Sequence, residues 1–113
     1  MSKDNDVPAG FEPLSHGGAF VEHVGPLYIR EEDGVIGLRV EDRHLNAAGT
    51  AMGGLLATLV DVALGRAVRA EAQGDAAVAT VSLTTDYMRP GPPGAWLEAR
   101  TEVERLGGRP GIR

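Results

Sequence analysis

The chain has 113 residues, enough for one compact domain and too few for two. It is 42% hydrophobic and 24% charged, which excludes wholesale disorder, and Gly 16 with Pro 7 and no repeating period excludes collagen and points to short elements joined by tight turns. A net charge of −5 gives no basic face for nucleic acid, and Cys 0 excludes a disulfide framework, a thiol nucleophile and thiolate metal sites.

Met1 to Asp6 is polar with no apolar stretch behind it, so no signal peptide is visible, and no 18-residue apolar run offers a membrane span. The cytoplasm is the expected compartment. Residues 1–24 form an N-terminal segment that Phe11, Leu14, Phe20, Val21 and Val24 could dock on a core, with a short helix or turn. The remaining domain, 25–113, opens with Gly25-Pro26. Leu27 to Glu31 and Val35 to Asp42 flank Glu32-Asp33-Gly34, a hairpin signal, and Ile36, Leu38 and Val40 share one face of the second strand.

Residues 43–54 form a Gly- and Ala-rich loop. From Leu55 to about Glu71 the period changes and a helix of four turns or more is predicted. Leu55, Leu56, Leu59, Val60, Val62, Ala63, Ala67 and Val68 make it apolar around most of its circumference, the pattern of a buried helix, and Gly74-Asp75 ends it. Ala79 to Tyr87 and Trp96 to Leu106 alternate with a period of two and are predicted as strands, separated by a proline-rich turn. Antiparallel strands around one buried helix make an α+β domain.

Asp61 is the most informative residue. It interrupts Leu59-Val60-Asp61-Val62-Ala63-Leu64, and helical spacing sets it on a stripe with Gly54, Ala57, Thr58, Gly65 and Val68, small enough to admit a backbone or ligand. The plainer alternative is a carboxylate that caps or pairs with a neighbour such as Arg66. Gly53-Gly54 opens the helix with unshielded N–H groups suited to an anion or a developing oxyanion, and Asp61 lies two turns along, within reach of a group bound there. The alternative for the glycines is a tight turn.

The run from His44 to Asp61, with Asn46, Gly49, Gly53-Gly54 and Asp61 in register, resembles the signature of hotdog-fold acyl-CoA thioesterases of the PaaI/4-hydroxybenzoyl-CoA type. Thr80 to Pro90, ending Tyr87-Met88-Arg89-Pro90, is similar to that family's next strand, and the likeness spans residues 25 to 106. The resemblance implies a hotdog fold, a sheet wrapped around one long helix, hydrolysis of an acyl-CoA thioester, no cofactor, and a homodimer or homotetramer with sites at the subunit interface. It implies Asp61 as general base or nucleophile, the Gly53 N–H as the donor that polarises the carbonyl, and Asn46 as the positioning side chain. Thr80 would hold the water, contributed from the partner subunit, with Ser82 as the neighbouring fallback. Met52 and Gly54 would line the substrate site.

Two departures stand out. Met52 replaces the usual His before Gly-Gly, which changes pocket polarity more than it removes a catalytic donor. The family's domain has two further strands beyond Leu106-Gly107-Gly108-Arg109-Pro110-Gly111-Ile112-Arg113, so the domain is expected to lack its last two strands, as a fragment or with substitutes for them. His16-Gly17-Gly18 repeats the family tripeptide by coincidence. His16, His23 and His44 have no metal-ligand spacing, and neither a Gly-x-Ser-x-Gly elbow nor a Rossmann Gly-x-Gly-x-x-Gly is present. Arg89, Arg105 and Arg109 beside turns could meet coenzyme A phosphates or be surface charge. Two rival readings remain: a hotdog dehydratase, for which His44 is the nearby histidine, and a non-catalytic acyl-CoA-binding or oligomerisation module.

Overall fold

A computed structural model describes residues 7–72 and 79–104. Within them lie strand β1 (Phe11–Pro13), helix α1 (Ala19–Val24), strands β2 (Tyr28–Arg30) and β3 (Val35–Arg39), helix α2 (Gly53–Glu71) and strand β4 (Trp96–Ala99). A single 3-10 turn, Asp42–His44, separates β3 from the loop before α2. The four strands form one antiparallel sheet in the order β1-β2-β3-β4, with Ile29 opposite Ile36 and Leu38 opposite Leu97. One long helix packed against this sheet makes the chain α+β.

The predicted hairpin forms between β2 and β3. Asp33 organises its turn: its carboxylate takes hydrogen bonds from Arg30 Nε and Nη2 at 3.0 and 2.8 Å and from the Val35 N–H at 3.3 Å. Gly34 follows at φ 74°, which a side chain would resist, and its N–H donates to the Arg30 carbonyl at 2.7 Å. The Arg30 guanidinium holds the Asp33 carboxyl below its ordinary range, and the carboxylate in turn raises Arg30.

The core is built on β3. Ile36, Leu38 and Val40 are almost wholly removed from water, and Leu55, Leu59 and Ala63 of α2, spaced four apart, pack into the same cluster with Ile29 and Ala99. Burying each large aliphatic side chain is worth about 1.5–3 kcal/mol. The opposite face of the sheet carries a different device. The Trp96 indole lies across Gly37, where an added Cβ would come 2.2 Å from Trp96 Cζ2, and so reaches Tyr28 at 5.7 Å and Phe11 at 5.1 Å between ring centres. A side chain absent from β3 thus lets one ring on β4 tie together β2 and β1.

Several expectations differ from the structure. The N-terminal segment contributes α1 and also β1, which pairs with β2, a strand the composition did not signal. Helix α2 is buried along a single stripe, Leu55, Leu59 and Ala63, and elsewhere is half-buried or exposed, because within one chain only one side of it meets the sheet. Ala79 to Tyr87 is not a strand: it pairs with none of the four described strands, its Thr80 and Tyr87 side chains reach α2 instead, and Val81 is 81% exposed. The last predicted strand is regular only over Trp96–Ala99. The helix end at Gly74-Asp75 and the residues from Arg105 onward, Arg109 included, lie outside the described residues.

Candidate active site

The loop leading into α2 is folded around Asn46. Its side-chain oxygen accepts hydrogen bonds from the Ala48 and Thr50 N–H groups at 2.9 and 3.1 Å, its own N–H donates to the Thr50 carbonyl at 2.7 Å, and Gly49 turns the chain at φ 83°. The short polar side chain of Asn is suited to such local bonding. Before the loop stands His44, 4% exposed, whose Nδ1 accepts from the Glu41 N–H at 2.9 Å while Nε2 donates to the Val24 carbonyl at 2.7 Å. Arg43 reaches the same chain end, donating to the carbonyls of His23 at 3.3 Å, Val24 at 2.8 Å and Gly25. Cationic side chains suit the carbonyl end of a helix. Arg43 and His44 therefore fasten α1 to the loop, a role their positions in the sequence did not signal.

Helix α2 begins at Gly53 after Met52, with no side chain capping its first N–H groups. The first turn of a helix has no internal acceptors for these donors. Two cavities flank this end. The smaller, of about 290 Å³, is lined by Asn46, Thr50, Gly53, Tyr87 and Arg89 among others. The larger, of about 730 Å³, meets Asn46, Met52, Gly54, Leu55 and Thr58 together with α1. Asn46 borders both. Met52 lines the larger one and is 54% exposed.

Asp61 is half-buried on α2 and accepts a hydrogen bond from the Thr80 hydroxyl of its own chain. Its plainer alternative, an ion pair with Arg66, does not occur: no salt bridge among the described residues involves Asp61. Farther along the same segment the Tyr87 hydroxyl donates to the Gly53 carbonyl at 2.9 Å. Residues 80 to 87 therefore run back along α2, from its middle to its N-terminus. Sequence reasoning used Tyr87 only as a marker of the segment; its hydroxyl and Thr50 are lining groups it did not single out.

Thr80 lies on Asp61 within the single chain described. One sequence expectation is corrected by this geometry. Asp61 is not within reach of a small group at the Gly53 end, because eight residues of continuous helix separate them by about 12 Å. Ser82 is exposed on the segment between Thr80 and Tyr87, and Arg89 is exposed at the smaller cavity. Among the described residues no three His, Asp or Glu side chains cluster as a metal site, and no helix is long and apolar enough to cross a membrane.

Residues 48–110 match the family model described as "Thioesterase superfamily". This chain belongs to that family. The thioesterase-superfamily chain is also similar to a "Putative esterase" of Pseudomonas aeruginosa, 38% identical over 107 residues that make up 92% of this chain and 80% of that protein. A "Putative esterase" of Caenorhabditis elegans is 36% identical over 86 residues, 76% of this chain and 50% of the other, so the chain spans half the length of that relative. The matched span takes in α2, Asp61 and Thr80. Membership of the thioesterase superfamily, with its hotdog fold, supports a hydrolase-type activity.

Proposed function

We propose that the chain hydrolyses an acyl-CoA thioester to a free acid and coenzyme A. The observation that carries this reading is the Thr80 hydroxyl on the Asp61 carboxylate, set on the same helix whose glycine N-terminus opens between two cavities. A carboxylate held beside a hydroxyl can orient a water and take its proton as the water attacks the thioester carbonyl. The N–H of Gly53, at the positive end of the helix, stabilises the oxygen that becomes negative, and the Asn46 amide nitrogen holds the carbonyl or water in register. Collapse of the tetrahedral intermediate expels the coenzyme A thiolate, a good leaving group that needs no strong acid.

The separation of about 12 Å between Gly53 and Asp61 along one helix is too long for both to touch one carbonyl. A working site therefore joins the Asp61–Thr80 pair of one subunit to the Gly53–Asn46 end of a second, in a homodimer or a homotetramer built from such dimers. The partly exposed remainder of α2 and the exposed segment containing Val81 and Met88 provide surface for that contact. The domain so assembled is the span 25–113, with the described part of the N-terminal segment fastened to it through β1 and α1. The dehydratase alternative needs a free histidine, and both ring nitrogens of His44 are engaged by Glu41 and Val24.

A panel of acyl-CoAs assayed with a thiol-detecting reagent tests the reading. Release of free thiol from at least one member, at a rate proportional to protein and abolished in Asp61→Asn, is the expected result. A folded, dimeric protein that releases none favours the non-catalytic acyl-CoA-binding module.

A further inference from the structure

We propose that Tyr87 is a positioning residue for the thioester carbonyl, holding the backbone of Gly53 so that its N–H points at the oxygen it polarises, an inference that rests on the thioester-hydrolase reading. Tyr87 reaches Gly53 across thirty-four positions of sequence. Its hydroxyl donates to the Gly53 carbonyl at 2.9 Å, and its ring lies over the same residue, 3.5 Å from where a Cβ would stand. Both residues line the smaller cavity, beside Asn46 and Thr50.

Gly53 needs such a hold. Glycine has the most permissive backbone of any residue, and two in succession make a helical turn prone to fray. The peptide before Gly53 is tied down through the Met52 carbonyl, which accepts from the Leu55 and Leu56 N–H groups at 2.9 and 3.2 Å. The peptide after it carries the Gly53 carbonyl. There Tyr87 adds an anchor from outside the helix to the bond that helical geometry supplies from four residues on. With the peptides on both sides fixed, the Gly53 N–H keeps its direction while charge grows on the oxygen it faces. The second peptide ends in the Gly54 N–H, so a donor on its oxygen also strengthens that group. Anchoring the fold is the lesser part of this contact. The Tyr87 side chain is 53% exposed and takes no part in the core cluster.

The test uses the full chain and Tyr87→Phe, which keeps the ring over Gly53 and removes only the hydroxyl. With octanoyl-CoA and benzoyl-CoA as probes, kcat is expected to fall about threefold to tenfold while KM and thermal unfolding stay nearly unchanged. The second readout is the infrared band of a 13C-labelled thioester carbonyl, bound to Asp61→Asn so that it is not turned over. The band is expected to drop in frequency on binding, and to drop less when Tyr87→Phe is added. Thr84→Ala, exposed on the same segment and outside the catalytic groups, is expected to leave both readouts as they were. A band that does not respond to Tyr87→Phe overturns the assignment whatever the rate does, and so does an unchanged kcat in a chain that hydrolyses the probe. A band that responds, in a chain that releases thiol from no acyl-CoA, overturns the hydrolase reading and leaves Tyr87 positioning the carbonyl of a bound thioester. Binding of neither probe overturns both.

Discussion

The hydroxyl of Thr80 donates a hydrogen bond to the carboxylate of Asp61 across nineteen positions of sequence, and this contact ties an exposed, non-helical segment to the middle of the one long helix. Each residue tests the other. Asp61→Asn keeps the size and hydrogen-bonding reach of the side chain and removes its capacity to take a proton. Turnover should fall on the order of a hundredfold to ten-thousandfold, with thermal unfolding little changed. Thr80→Val leaves the carboxylate in place without its donor, and a hydrogen bond to a charged group is worth about 1.5–3 kcal/mol, so a smaller loss, roughly tenfold to a hundredfold, is expected. If Asp61→Asn melts early and, once folded, turns over at the parent rate, the carboxylate is structural.

A composite site predicts complementation. Asp61→Asn and Asn46→Ala each damage a different half of it, so each variant alone should be nearly inactive. Refolding the two together creates mixed dimers in which one of the two sites is intact. About a quarter of the parent activity should return, since half of the dimers are mixed and each has one working site. Activity of the mixture equal to the sum of the separate variants would place the whole site within one chain.

The bare backbone at Gly37 is the space that the Trp96 ring occupies. Gly37→Val should cost about 1–3 kcal/mol through overpacking, or more if the ring must leave Tyr28 and Phe11. Denaturant midpoints measure the loss, and a blunted change in tryptophan fluorescence polarity on unfolding would mark a displaced ring. The helix-side core and the candidate site lie on the other face, so turnover per folded molecule should be nearly unchanged.

His44 joins two backbone groups on separate segments, the Glu41 N–H and the Val24 carbonyl, in a buried position. His44→Phe removes both partners at similar volume and should destabilise by on the order of 2–4 kcal/mol. The same change loosens α1 from the loop, so amide exchange of residues 19–24 should quicken first.

The hairpin predicts a small acid-sensitive contribution to stability. Asp33 has its carboxyl lowered in the folded chain, chiefly by the Arg30 hydrogen bonds. The unfolded chain therefore binds this proton more readily, and folding gains from the pair above the ordinary Asp value of about 3.9. That gain is lost as pH falls through the lower folded value. Urea midpoints of the parent and Asp33→Asn should differ at neutral pH and converge in acid. A gap that persists in acid would assign the difference to packing instead.

What the residue order settled by itself is local. Glu32-Asp33-Gly34 carried its hairpin because Asp and Gly meet the demands of a turn within three residues, and the apolar period from Leu55 onward carried α2 because a helix satisfies its backbone internally. Asn46, Gly53 and Asp61 were visible as a motif for the same reason: their spacing is a property of one loop and one helix. Tertiary structure decided the rest. Residues 79 to 87 alternate as a strand does, yet a strand exists only where another chain segment offers a ladder, and here the segment lies along α2 instead. β1 pairs for the opposite reason, its weak pattern being rescued by the edge that β2 presents. The meeting of Thr80 with Asp61 and the cover that Trp96 gives Gly37 both join residues distant in sequence. No local propensity records such distances, because they are fixed by which faces of separate elements bury one another.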